Sequence, residues 1–138
     1  MGFWANIHGG STHFPIALLF SSFLFDVTGY GLHRRAFSRD LHTAAFYALL
    51  LGALASFAAV LSGLIISGWQ FAGGGALAKH HLFVWPAFGL IVGLAIWRLI
   101  VRENASRPAY GGYIAASLVA TGLMLGAGYW GGEMGMSN

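Results

Sequence analysis

Charge and cysteine are what this chain lacks. Charged residues make up 8% of its 138 residues, against roughly 25% in ordinary globular chains. A soluble fold with so few charges could not cover the 57% of the sequence that is hydrophobic, so the expected solvent is a lipid bilayer. The mean hydropathy of +0.70 agrees. With no cysteine, disulfides, thiolate metal sites and covalently attached c-type haem are excluded. Phosphate-binding loops and nucleophile–base arrangements are also missing, which argues against an enzyme acting alone. Seven basic residues stand against four acidic ones. In a membrane chain that bias encodes orientation, and no nucleic-acid partner is expected.

What is present is a series of apolar runs, each near the ~20 residues needed to cross a bilayer. They cover about residues 14–32, 43–69, 82–101 and 110–130. The first lacks a basic leader and a small-residue cleavage site, so it reads as a retained span. Ser11 or Thr12 is its candidate N-cap, with Pro15 in the first turn. The connections "HRRAFSRDLH", "QFAGGGALAK" and "RENASRP" are short. Short connections make consecutive helices antiparallel neighbours, so the expected fold is a single all-α domain, an up-down-up-down bundle of four transmembrane helices spanning 1–138. Six of the seven basic residues, Arg34, Arg35, Arg39, Arg98, Arg102 and Arg107, fall at the first and third connections; Lys79 lies in the second. The positive-inside rule places those two connections in the cytoplasm and both termini outside. Trp4, Trp69, Trp85 and Trp130 then mark the outer interface.

Orientation sorts the six histidines. His8, His13, His80 and His81 gather at the outer mouths of the first and third helices, with Glu133 closing the fourth; His33 and His42 lie inside. "HFP" opening the first helix and "HLFVWP" opening the third form a weak internal echo. An approximate twofold repeat would set His13 across from His81 or His80. Two imidazoles at one depth on different helices are what a six-coordinate haem b needs. His13 and His81 are the nominated axial ligands to the iron, with His80 as the alternative to His81. His8, before the flexible "GGS", stays outside the iron's immediate ligands, and Glu133 is a candidate acceptor for a ligand's second N–H.

Each reading has a plainer rival. Interfacial histidines often contact headgroups or cap helices. Gly52, Ser56, Ala59, Gly63, Gly122 and Gly126 read as helix-packing positions before they read as a haem groove. Zinc or copper on the same imidazoles, helped by Met134 and Met136, is a further option, although catalytic zinc usually takes three convergent protein ligands. Asp26, roughly 20 Å beyond His13 along the helix, is either a proton site or a brace paired with Arg34, Arg35 or His42. The brace is preferred. No second haem is expected at that end, where the third and fourth helices carry no histidine.

These residues also carry a resemblance. "IHGGSTHFPIALLFSSFLFDV" and "GAGYWGGEM" resemble the opening and closing motifs of the bacterial four-span membrane proteins grouped as domain of unknown function 2231. The likeness covers His8, His13, Phe14, Pro15, Asp26, Gly131, Gly132 and Glu133, with His42 and His81 as further matches. Two departures stand out: Gly9 replaces the usual proline, and the family's third-helix histidine can be matched to either His80 or His81. The resemblance implies a bacterial four-span membrane fold; with the arginine distribution, the expected setting is a bacterial inner membrane with both termini periplasmic. Because such proteins are sometimes joined to redox modules, the resemblance also implies electron transfer by association. The leading expectation is a b-type cytochrome-like subunit passing electrons between a redox partner and quinone or a larger membrane complex. The alternatives are a cofactor-free structural subunit of such a complex and a small transporter using Asp26 and the histidines.

Overall fold

A computed structural model describes residues 3–102 and 104–136. Four helices account for almost all of them: α1 Phe3–Gly31, α2 Ser38–Ile66, α3 Ala76–Val101 and α4 Arg107–Met136. Among the described residues there is no strand. All four helices are long and apolar enough to cross a membrane. In each span at most about a third of the residues are buried inside the bundle. The outward rows are large and apolar: Leu51, Leu54, Phe57 and Leu61 on α2 are all exposed. Such faces need lipid around them.

The helices begin earlier than the apolar runs. α1 starts at Phe3 and passes through Gly9, Gly10 and Ser11 without interruption. A glycine inside a helix costs only about 1 kcal/mol, whereas an unsatisfied backbone group in hydrocarbon costs several. The helix therefore continues, and "GGS" is not a hinge. Ser11 and Thr12 consequently cap nothing. Their hydroxyls donate back to the carbonyls of His8 and Gly9, at 3.2 and 3.1 Å. Pro15 lies inside α1 rather than in its first turn, and Pro86 lies inside α3. Each removes one N–H and frees a carbonyl a turn earlier. α4 follows the rule for starts, with Pro108 next to its first residue.

α1 packs on α2 and α4, α3 on α4 and α2, and the diagonal pairs keep their backbones apart. The closest pairings are within the hairpins α1–α2 and α3–α4. Their contacts agree with the alternating order, because Asp26 late in α1 meets His42 early in α2. Small residues make the approach possible. A Cβ on Gly52 would stand 3.3 Å from Leu18 Cβ and 3.6 Å from the Leu19 backbone. Gly126 accepts the Phe83 ring, which a Cβ would meet at 2.6 Å. These two glycines are packing positions as expected; Gly122 has nothing within 4 Å. The core between the hairpins is built on Leu19, Leu49 and Ile91 with the buried alanines Ala45, Ala87 and Ala120.

Candidate cofactor site and a buried ion-pair knot

Polar side chains gather in two layers, one toward each end of the bundle. At the end formed by the first and third connections the centre is Asp26, 1% exposed. Gly29, one turn further along α1, leaves room for the His42 ring, which a Cβ would meet at 2.9 Å. His42 Nδ1 then lies 2.9 Å from Asp26 Oδ1. Arg98, also buried, reaches from the last turn of α3 and donates to Oδ2 at 3.0 Å and Oδ1 at 3.2 Å. From α4, Tyr113 donates to Oδ2 at 2.9 Å. Tyr110 donates to Oδ1 and accepts from Arg98. Arg98 Nη2 also holds the carbonyl of His42 at 2.9 Å. The carboxylate is thus bound by all three other helices. Arg98 Nε is the one fully buried side-chain atom of this group that lacks a partner among the described residues.

The brace expected for Asp26 therefore includes His42, but Arg34 and Arg35 take no part. They stay exposed in the turn after α1, while Asp26 faces the bundle interior. Arg98, which the sequence reading used only as an orientation signal, makes the ion pair. Tyr110 and Tyr113 were missed altogether. A signal existed: an intramembrane carboxylate requires a partner, and "AIWRLIV" sets an arginine inside an apolar run.

At the other end a cavity of about 270 Å³ is lined by residues of all four helices. Its walls are mainly apolar, with Trp85, Phe88, Ile91 and Met124 among them, and His8, His13, His80 and His81 all border it. Two of the rings are held in the same way. His8 Nδ1 lies 3.1 Å from the Ala59 carbonyl and 3.0 Å from Ser62 Oγ on α2. His80 Nδ1 lies 2.9 Å from the Ala127 carbonyl on α4. A carbonyl only accepts, so in both rings Nδ1 carries the proton. In both hairpins a glycine one turn past the acceptor lies against the ring, tightly at Gly63 and in ordinary contact at Gly131. A Cβ on Gly63 would stand 3.0 Å from His8 Cε1, and one on Gly131 3.4 Å from His80 Cε1. The closing motif "WGGE" thereby acquires a packing role for its first glycine. His80 lies within electrostatic reach of both His8 and His81.

The other two histidines differ. His13 is exposed and makes no hydrogen bond with the described residues. His81 is 8% exposed, tilted against His80 and Trp85, and its Nδ1 is buried with no hydrogen-bond partner among the described residues. Glu133 is exposed near the end of α4, and the side chains of Trp4 and Met136 lie outside the described residues. No three histidine or carboxylate side chains converge tightly enough to hold a bare metal ion among the described residues.

Residues 5–138 match the family described as predicted membrane protein, DUF2231. The chain belongs to that family. The match takes in both polar layers, from His8 to the closing "WGGE", and the four apolar helices accord with the family's description as membrane proteins. No curated protein and no solved structure matches the chain significantly.

Proposed function

We propose that the histidine-lined cavity is a haem b site and that this DUF2231 protein is a membrane electron-transfer subunit. The observation that carries this reading is the meeting of four imidazoles, from α1 and α3, at one mainly apolar cavity. A bare zinc or copper ion needs three or four convergent protein donors. A porphyrin supplies four of iron's six ligands itself, so one imidazole from each hairpin suffices. The buried, unpaired Nδ1 of His81 is a further sign that the lining is incomplete without a guest.

A haem held here would supply one-electron chemistry, its iron alternating between ferric and ferrous. This chain's part is to supply the axial nitrogens, to keep the ring in an apolar cleft and to fix it at one depth. The electron would come from a reduced partner and pass to quinone or to another subunit of a larger membrane redox complex. The proposed setting is a bacterial inner membrane, with both termini and the histidine layer periplasmic, following the arginines at the other end. Tags at either terminus should be accessible from the periplasm, and one between Arg35 and Arg39 from the cytoplasm; the opposite labelling overturns the orientation.

Protein purified in its native assembly should show a Soret band when oxidised and a sharp α-band after dithionite. Well-folded protein without haem would replace this reading with that of a cofactor-free structural subunit. The second reading has its own support in the Asp26 knot, which ties four helices together without a ligand.

A further inference from the structure

The geometry points to His8 and His80, not His13 and His81, as the axial pair, each delivered by one hairpin through the same three-part device. The inference rests on the haem reading above. The device is an imidazole on the first helix of a hairpin, a carbonyl on the second that takes its Nδ1–H, and a glycine one turn later against the ring. In α1–α2 the parts are His8, Ala59 and Gly63; in α3–α4 they are His80, Ala127 and Gly131.

Each part answers a requirement of iron ligation. A neutral imidazole binds through one nitrogen and commonly gives its other N–H to a carbonyl, which fixes the tautomer and the ring plane. His8 and His80 both have that bond, and their Nε2 atoms have no hydrogen-bond partner among the described residues. Both rings border the one cavity. His81 lacks an acceptor for Nδ1, so nothing fixes its tautomer or aims its Nε2. His13 is exposed, and no bond orients its ring. The flexibility that counted against His8 does not exist, because Gly9, Gly10 and Ser11 are helical. The two devices each bring one imidazole with an unbonded Nε2 to the same cavity, one from each hairpin, which is the ligand supply a bis-imidazole haem needs.

The experiment uses full-length protein in detergent, with wild-type and single variants checked for monodispersity before spectroscopy. His8→Ala and His80→Ala should each lose the low-spin spectrum, and added imidazole should restore it by filling the vacated position. His13→Ala and His81→Ala should retain it. If the alanine variants fail to assemble, His8→Met and His80→Met decide the matter: methionine in place of one imidazole should raise the haem midpoint potential. Retention of an unshifted bis-imidazole spectrum in the His8 or His80 variants, or its loss in the His13 or His81 variants, overturns the assignment while leaving the haem reading intact. Wild-type protein free of haem overturns both.

Discussion

The two polar layers of this bundle are built from similar residue types and behave as opposites. Around Asp26, donors from three other helices saturate the carboxylate. Around His8 and His80, each ring is held by one nitrogen while the other has no partner, and a cavity of about 270 Å³ lies among the four histidines. In hydrocarbon an unpaired polar group is costly. A network that closes on itself is therefore a brace, whereas one that leaves ring nitrogens unbonded beside a cavity is the layer on which the proposed ligand site rests. Arg98 Nε is the one loose end of the brace, and it sits on a group whose charge is already balanced by Asp26.

The sharpest way to break this comparison is to open the closed layer. Arg98→Met leaves the buried Asp26 without its permanent cation, and breaking such a pair costs about 3–5 kcal/mol. Thermal unfolding in detergent should show that loss, with much less monodisperse protein recovered. Replacing both partners, Asp26→Leu with Arg98→Met, should recover most of the stability, because an apolar pair leaves no uncompensated charge. If the single variant is as stable as wild type, the knot is not a brace.

A smaller change of opposite sign is expected in the open layer. His81→Phe removes a buried nitrogen that has no partner. An unsatisfied buried polar group costs about 1–3 kcal/mol, so the ligand-free protein should melt unchanged or slightly higher. A destabilisation comparable to that of Arg98→Met would show that His81 is satisfied within the isolated protein, for instance by an ordered water, and the contrast between the layers would weaken.

Composition and spacing made the fold legible. Four apolar runs, short connections and scarcity of charge leave little but a four-span bundle, because each span must satisfy its backbone by itself. The small residues at Gly52 and Gly126 were likewise readable as packing positions. Helix limits were less so. Glycine and serine after His8 suggest a flexible lead-in, yet in a long apolar helix their propensity cost is minor beside that of open backbone bonds. That expectation, together with Pro15, favoured His13 over His8 as a candidate ligand, and the continuous helix removes the first of those two grounds.

By itself the sequence determined that the chain belongs in a membrane, how many times it can cross, and that four histidines cluster at one end while one carboxylate, Asp26, lies inside a span toward the other. Those follow from composition and from positions along each helix. Only the tertiary structure decided partners. Arg98, Tyr110 and Tyr113 come to Asp26 from seventy to ninety residues away, separations of 72, 84 and 87, and the carbonyls that orient His8 and His80 carry no side-chain signature at all. Which helix faces meet depends on small residues that let one backbone approach another, and a backbone acceptor is identical at every position until packing selects one.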